Sequence, residues 1–150
     1  MTTDRRAMHE DIVGAFAAGW ADVDSRAIEP FMTPDVELVQ PFIPTCHGTG
    51  EWWAYVDRLQ TFATGLRSEV LHWSGTADRL FIEHRLSATV GRRVVRITAV
   101  DSFELTGEGK IFRRVAYFDP SPLVVAVLLS PRVWLRWWRS GLRPRLGSPA

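Results

Sequence analysis

A change in hydrophobic periodicity between the two halves of the chain is the strongest constraint on its fold. Apolar residues in the first half recur at steps of three and four residues, as they do in amphipathic helices. The second half alternates between apolar and polar residues, which is typical of strands with one buried face. Helices followed by a run of strands predict an α+β protein, and 150 residues suit one domain.

The same patterns predict the order of the elements. Helical patterns occupy 8–23, 26–32 and 52–62, and strand patterns occupy 35–40, 69–73, 79–90, 94–105 and 111–118. Hairpin turns are predicted at 91–92 and 106–109. Trp53 is predicted to lie on the surface of its helix or in a dimer contact. A strongly curved sheet around packed helices leaves a cavity open at one end, which is the usual place for a ligand.

Charge and cysteine content exclude several classes of function. The net charge of +1 predicts no global attraction to nucleic acid. Cys46 is the single cysteine, so no internal disulfide is possible, and a cytoplasmic location is expected. The N-terminal residues contain no continuous apolar stretch like that of a signal peptide, and the longest apolar run, 123–129, is too short to span a bilayer.

Neither a metal nor a cofactor is expected. His9, His47 and His72 have no partners at the spacing of metal ligands, and the chain carries no glycine-rich phosphate loop. Cys46 is predicted to be a small apolar filler or an exposed bystander rather than a nucleophile, because only His47 beside it resembles a base.

Strand alternation places two ionisable residues on an otherwise apolar face. His84 shares its face with Ile82, Leu86 and Ala88, and Asp101 shares its face with Val95, Ile97, Ala99 and Phe103. In a hairpin that turns at 91–92, His84 lies opposite Ala99, so Asp101 becomes its diagonal neighbour. We predict that His84 and Asp101 are catalytic, because two such groups are costly to bury without a function. The alternative is a buried polar pair that only stabilises the core.

Several short motifs resemble the nuclear transport factor 2-like superfamily. They are Asp-Val-Glu-Leu-Val-Gln-Pro at 35–41, Gly48, Val-Asp-Ser-Phe-Glu-Leu at 100–105, Gly-Lys-Ile at 109–111 and Tyr-Phe-Asp at 117–119. The resemblance covers 12–119 and implies a cystatin-like α+β roll, a cone-shaped antiparallel sheet wrapped around N-terminal helices. The superfamily includes ketosteroid isomerase, limonene epoxide hydrolase and SnoaL-like polyketide cyclases, so it implies a cofactor-independent enzyme or a binding protein.

The resemblance also assigns roles residue by residue. At the positions of the ketosteroid isomerase base and oxyanion-binding tyrosine this chain has Gln40 and Phe16, which cannot do the same chemistry. Asp101 matches the protonated aspartate of that enzyme, which implies either a neutral hydrogen-bond donor or a carboxylate that orients His84.

Limonene epoxide hydrolase and the cyclases match differently. The arginine and two aspartates of the hydrolase correspond to His84, Leu86 and Ala116, and its tyrosine and asparagine correspond to Leu38 and Gln40. Epoxide opening by that set of residues is therefore not expected. SnoaL-like cyclases use an acid–base pair on the ligand-facing side of the sheet, a role that His84 and Asp101 would fill.

Together these patterns predict an apolar ligand, of polycyclic, terpenoid or polyketide type, that undergoes cyclisation or isomerisation. The predicted ligand-binding residues are Gln40, Trp20, Phe16, Leu38, Ile82, Leu86, Ile97, Ala99, Ala116 and Phe118. Two alternatives are a binding protein without catalysis and an interaction module. A homodimer through the outer sheet face is expected, since that face carries Phe81, Arg85, Thr98 and Tyr117.

The last part of the chain differs in charge from the rest. We divide the chain into a cone domain, 1–122, and a C-terminal helical extension with a loose tail, 123–150, packed on the same domain. No acidic residue follows Asp119, whereas arginines continue. The segment 123–138 is expected to close the mouth of the cone or pack on the sheet. Alternatively, Trp134 to Trp138 forms a peripheral contact with an anionic membrane.

Overall fold

The structure, a computed structural model, describes residues 3–142 and has the predicted α+β order. The helices are α1 (Thr3–Ala21), α2 (Gly48–Gln60), α3 (Ser121–Leu128) and α4 (Pro131–Ser140). The strands are β1 (Met32–Val39), β2 (Cys46–His47), β3 (Ala63–Gly75), β4 (Arg79–Val90), β5 (Arg93–Leu105) and β6 (Ile111–Phe118).

One curved, unclosed sheet forms the body of the molecule, in the strand order β2-β1-β6-β5-β4-β3. Strand β1 pairs with β6 in parallel, and the other neighbours are antiparallel. Helix α1 packs against β3, and α2 packs against β1 and β3. The core between helices and sheet contains Ile12, Phe16, Val56, Leu59 and Phe103. The predicted cone-shaped sheet wrapped around N-terminal helices is confirmed.

Strand β3 is much longer than the predicted 69–73. Its pairing with β4 shifts between Thr64 and Arg67 and again between Val70 and His72. Each irregularity moves the following side chains to the opposite face, so a strict two-residue alternation detects only part of the strand. The predicted bounds of β4 and β6, 79–90 and 111–118, agree with the structure.

The short helix predicted at 26–32 is wrong. The span contains a single turn of 3-10 helix, Glu29–Phe31, and another such turn, Val23–Ser25, precedes it. Arg26 separates them with a left-handed φ of 50°, a conformation that ends a helix. Pro30 lies inside the second turn and lacks the N–H group that a longer helix would need.

Trp53 is buried, so the prediction that it lies on the surface is wrong. Its indole Nε1 donates a hydrogen bond of 2.8 Å to Glu29 Oε2, and the Arg26 guanidinium lies 5.3 Å from its ring centre. The segment before β1 covers this side of α2. Helical periodicity identifies the face of α2 that packs on the sheet. It cannot show that a distant segment of the chain covers a second face of the same helix.

The C-terminal helices pack on the cone through a few small apolar side chains. Ala126 and Val127 of α3 and Val133 of α4 are buried. Gly91, in the β4–β5 turn, has φ of 63°, and a Cβ there would lie 3.1 Å from Ser130 Oγ. The turn therefore needs glycine both for its conformation and for the close approach of the α3–α4 connection.

Two further predictions concern the C-terminal part and its surroundings. The predicted loose tail, 141–150, lies outside the described residues from position 143 onward. Within residues 3–142, no helix combines the length and the apolar character needed to cross a bilayer.

Candidate functional site

His84 and Asp101 meet inside the cone. The predicted pairing of His84 with Ala99 is confirmed, and Asp101 lies diagonally across the β4–β5 ladder. His84 Nε2 is 3.4 Å from Asp101 Oδ2, and the two side chains are 2% and 0% exposed. The two candidate catalytic groups are therefore neighbours that are shielded from bulk water.

Arg114 is the residue of this cluster that sequence reasoning missed. Its Nε and Nη2 donate hydrogen bonds of 2.9 and 3.0 Å to the two carboxylate oxygens of Asp101. Because Asp101 pairs with Ala116 on β6, Arg114 is its diagonal neighbour on the other side. The guanidinium also lies 4.8 Å from the ring centre of Trp52, which covers it. The strand alternation that pointed Ala116 and Phe118 inward would have pointed Arg114 inward as well.

The pairing with Arg114 decides the protonation of Asp101. Burial by itself would raise the pKa of this carboxyl, but the positive charge of Arg114, together with the neighbouring imidazole, lowers the pKa below its ordinary value. Asp101 is therefore a carboxylate. The neutral hydrogen-bond donor that the resemblance to ketosteroid isomerase implies does not fit this environment.

The His84 ring is held in place on all sides. Its Nδ1 lies 2.5 Å from Ser68 Oγ, and the Ser68 hydroxyl is also 3.3 Å from the carbonyl oxygen of Arg85. Phe16 meets the imidazole edge-on at 5.0 Å between ring centres, and Trp20 lies nearly parallel to it at 6.4 Å. In the tautomer in which the Ser68 hydroxyl donates to the Arg85 carbonyl and accepts the proton of Nδ1, the lone pair of the imidazole lies on Nε2.

Two buried polar atoms of the site have no hydrogen-bond partner within residues 3–142. They are Nε2 of His84 and Nε2 of Gln40, both in side chains less than a tenth exposed. The Asp101 carboxylate lies 3.4 Å from Nε2 of the imidazole as its charged neighbour. An unpaired buried polar group costs about 1–3 kcal/mol, so a ligand that pairs with these atoms would recover that free energy.

These atoms line a small inner pocket of about 40 Å³. Five further residues of the predicted site line the same pocket, namely Trp20, Leu86, Ile97, Ala99 and Phe118. Trp52, Tyr55 and Arg114 complete its polar and aromatic wall. The structure therefore brings together the predicted catalytic pair, the predicted amide and most of the predicted apolar wall.

Four of the predicted ligand-binding residues lie elsewhere. Leu38, Ile82 and Ala116 are packed into the core and do not line the inner pocket. They occupy the inward face, but neighbouring side chains cover them completely. Phe16 contacts the His84 ring and lines a separate small hollow of about 30 Å³. Facing inward is thus necessary for contact with a ligand but is not sufficient.

A larger apolar chamber of about 300 Å³ adjoins the inner pocket, with Tyr55, Leu59 and Phe118 in the wall of both. The remaining wall comes from the 41–43 loop, the end of α2, and both C-terminal helices: Pro41, Phe42, Ile43, Phe62, Pro120, Leu123, Val124, Val127, Leu128, Trp137 and Leu142. We call this space the outer chamber. The C-terminal helices therefore form a wall at the mouth of the cone without filling it.

Tyr55 lies where the two spaces meet, and sequence analysis did not single it out as a site residue. Burial raises the pKa of its phenol to about 12, so the hydroxyl keeps its proton at neutral pH and can donate a hydrogen bond. Its helical spacing with Trp52, Val56 and Leu59 was visible in the sequence. That spacing predicts a buried face but does not distinguish a cavity wall from solid core.

The remaining histidines and Cys46 do not form a cluster. Within residues 3–142, no group of three or more histidine, cysteine, aspartate or glutamate side chains is arranged to hold a metal ion. Cys46 is buried, and burial raises the pKa of its thiol, which makes it a poor nucleophile. The position of Cys46 agrees with the predicted apolar filler.

Comparison with known proteins gives the family. The SnoaL-like domain matches residues 13–114, which is more than half of the chain. No curated protein matches this chain.

Solved structures with the same fold include three that illustrate its range. TerC, co-crystallised with polyporic acid, has a TM-score of 0.73 at 22% identity over 81% of this chain and 98% of its own. A candidate SnoaL-like polyketide cyclase from Jannaschia sp. CCS1 has a TM-score of 0.71 at 18% identity, over 83% and 94%. An LEH-like epoxide hydrolase from M. tuberculosis has a TM-score of 0.65 at 16% identity, over 86% and 96%.

At these identities the three structures establish the shared fold, while the domain match establishes the relationship. The fold family includes cyclases, isomerases and epoxide hydrolases. This chain belongs to the SnoaL-like family of nuclear transport factor 2-like proteins.

Proposed function

We propose that this protein binds an apolar small molecule of polycyclic, terpenoid or polyketide type and catalyses cofactor-free acid–base chemistry on it, such as cyclisation or isomerisation. The state of His84 carries the proposal. The imidazole is buried, its Nε2 is without a hydrogen-bond partner within residues 3–142, and the Asp101 carboxylate lies 3.4 Å away. A general base needs such a lone pair in a space that excludes water.

The two cavities suggest how the ligand is held. The outer chamber has an apolar wall and a volume at the lower end of the usual range for ligand sites, about 300–1,000 Å³. The inner pocket is smaller and carries the ionisable groups and Gln40. The apolar body of the ligand would occupy the outer chamber, and one polar edge would reach the inner pocket.

The proposed reaction begins with proton transfer. His84 Nε2 removes a proton from a carbon next to a carbonyl group, the C–H electron pair forms a C=C bond to the carbonyl carbon, and the C=O π pair moves to the oxygen. Gln40 Nε2 donates a hydrogen bond to that oxygen. The imidazolium formed is stabilised by the Asp101 carboxylate, which Arg114 holds in its charged form. Where a C=C bond is conjugated with the enolate, the proton returns to the far carbon of that bond, which completes a double-bond isomerisation.

A binding protein without catalysis is the second candidate, and the outer chamber favours it. Among residues 3–142, Tyr55 is the only ionisable side chain that lines that chamber, and its phenol stays neutral. A ligand confined to the outer chamber would never meet His84. Its affinity would then be indifferent to His84, and it would leave the protein chemically unchanged.

Proton exchange can test the catalytic proposal before the natural ligand is known. The probe is 2-tetralone, an apolar bicyclic ketone, and the measurement is the exchange of its α protons in D₂O by NMR. We expect the wild type to accelerate this exchange, and His84→Gln to lower the acceleration by about 10²–10⁴-fold, the usual contribution of a general base. Affinity for the probe should change far less.

The matched control is His72→Gln, which removes an exposed imidazole that contacts Glu83 on the same pair of strands. It should leave the exchange rate unchanged. Equal rates for the wild type and His84→Gln, both folded by circular dichroism, would contradict catalysis by His84. Native mass spectrometry of the purified protein tests the binding part separately, because a co-purified apolar ligand supports binding whatever its fate.

Two further expectations remain proposals. The outer sheet face, where Val100 pairs with Tyr117, exposes both side chains to solvent, which supports a homodimer through this face. Sedimentation of Val100→Glu against wild type tests it, since a monomer in both would contradict the proposal.

The single free thiol, Cys46, is compatible with a cytoplasmic location.

A further inference from the structure

Helices α3 and α4 expose an unusual amount of apolar surface. Trp134, Leu135 and Trp138 of α4 are 48%, 58% and 56% exposed. Val125 and Leu128 of α3 are also more than half exposed, and they lie one helical turn apart on the same face. The indole of Trp134 donates a hydrogen bond of 2.8 Å to the carbonyl oxygen of Val127, so the two helices are joined at this point. We call the exposed apolar residues of these two helices the C-terminal patch.

Helix α4 has three distinct sides. Val133, Trp137 and Ser140 follow one side and face the protein. At about 100° per residue, Trp134, Leu135 and Trp138 follow a second side, and Arg132, Arg136 and Arg139 follow the third. Packing on the cone therefore involves one side of an amphipathic helix, while the side chains of the apolar side are about half exposed and those of the basic side are exposed.

Positive charge adjoins the C-terminal patch along one side of α4 and beside its start. The chain contains no acidic residue after Asp119. Arg92 and Arg93 of the β4–β5 turn lie near Arg132, since all three line one surface hollow beside the start of α4. The exposed face thus combines aromatic and aliphatic side chains with a basic border.

The patch also adjoins the outer chamber. Val124 and Leu128 line that chamber and are at the same time exposed to solvent, and Trp137 lines it from α4. A surface that covered the patch would therefore also lie against the mouth of the cone.

We propose that the C-terminal patch binds the surface of a bilayer containing anionic phospholipids. Its tryptophan and leucine side chains enter the interface, and its arginines contact the lipid phosphates. A second copy of this chain fits the patch less well, because a two-fold contact would bring the arginines of both copies together without acidic partners. Binding in this way brings the mouth of the outer chamber to the lipid, where apolar molecules concentrate.

Vesicle flotation with the full-length chain tests the proposal. The probes are vesicles of phosphatidylcholine alone and vesicles with about 30% phosphatidylglycerol, at about 0.1 M and 0.5 M salt. We expect binding only to the anionic vesicles, and weaker binding at the higher salt. Arg136→Glu combined with Arg139→Glu should lower the affinity by at least about 25-fold, since each arginine contributes roughly fivefold. Leu135→Ser should lower it about tenfold.

Matched variants away from the patch control for non-specific attraction. Arg5→Glu combined with Arg6→Glu makes the same change of charge at exposed positions of α1, and Phe112→Ser removes an exposed apolar side chain from β6. These variants should bind vesicles like the wild type. Failure of the wild type to bind anionic vesicles, or equal loss in the control variants, would overturn the proposal. A dimer that dissociates on Leu135→Ser would assign the patch to a second copy and overturn it as well. Because flotation needs no turnover, these outcomes are independent of the proposed catalysis.

Discussion

Replacement of Arg114 by methionine tests the electrostatic reasoning about the site. The change removes two hydrogen bonds of 2.9 and 3.0 Å and leaves the Asp101 carboxylate, which is 0% exposed, without its counter-ion. Removal of one partner from a buried ion pair costs about 3–5 kcal/mol, because the other charge remains desolvated. That is a large fraction of the stability of a domain, which is usually about 5–15 kcal/mol.

The double variant Arg114→Met/Asp101→Leu separates the loss of the pair from the penalty of one unpaired charge. With both charges gone, the free energy of unfolding should return to within about 1–2 kcal/mol of wild type, since apolar replacements of buried pairs are often close to neutral. Arg113→Met is the matched control. Arg113 contacts Glu37 and Glu104 at the half-exposed surface, where such pairs contribute at most about 1 kcal/mol.

The pH dependence gives a second readout. In the wild type the lowered pKa of Asp101 means that its stabilising contribution is present above the ordinary value of 3.8 and is lost only as pH falls below it. In Arg114→Met, burial is opposed only by the His84 imidazole, so the pKa of Asp101 rises, and the penalty is largest at pH 7 and shrinks as the carboxyl is protonated. Urea unfolding followed by circular dichroism at pH 7 and about pH 4.5 measures both quantities. If Arg114→Met lowers the free energy of unfolding by less than about 1 kcal/mol, or by the same amount at both pH values, the reasoning is refuted.

Two other predictions concern the packing of α1. Gly75→Ala should destabilise the protein by about 1–3 kcal/mol, because a Cβ there would overlap the His9 ring. Gly14→Ala is the matched control, and it should stabilise the protein by up to about 1 kcal/mol, because nothing lies near its Cβ. Thermal unfolding measures both effects, and equal melting temperatures for the two variants would contradict the described packing. Burial, with a smaller contribution from Arg5, lowers the pKa of His9 below 6.5 in the folded protein. As pH falls, His9 is therefore protonated first in the unfolded chain. The free energy of unfolding should decrease as pH drops below 6.5 toward the pKa in the folded protein. His9→Leu should remove this part of the pH dependence in urea titrations, and an unchanged slope would assign it to other groups.

The position of Arg114 has a consequence for the comparison with related enzymes. In ketosteroid isomerase an apolar site keeps the corresponding acid neutral, whereas here a guanidinium two residues from Ala116 keeps Asp101 charged. In the reaction proposed above, a charged Asp101 would stabilise a protonated His84, and it would have no proton to donate to an oxyanion.

Local patterns in the sequence were enough to predict that His84 and Asp101 lie next to each other on the inner face of the sheet. The alternation of β4 and β5 assigns each side chain to a face, and a two-residue turn at Gly91 sets the register between strands that are adjacent in sequence. Both effects act over short distances along the chain. The order of helices before strands is local in the same sense, and it was sufficient for the fold class.

The tertiary structure alone decided which inward-facing residues contact a cavity and which contact solid core. Leu38 and Leu86 both alternate inward, yet only Leu86 lines the inner pocket. Ser68 reaches His84 because the pairing of β3 with β4 is irregular, and the outer chamber exists because α3 and α4 return to the 41–43 loop. Empty space and ion pairing depend on how distant segments pack, and periodicity carries no information about that. The sequence by itself therefore determined the fold and the two inward-facing ionisable side chains, and packing determined the charge of Asp101, the partners of both residues and the room for a ligand.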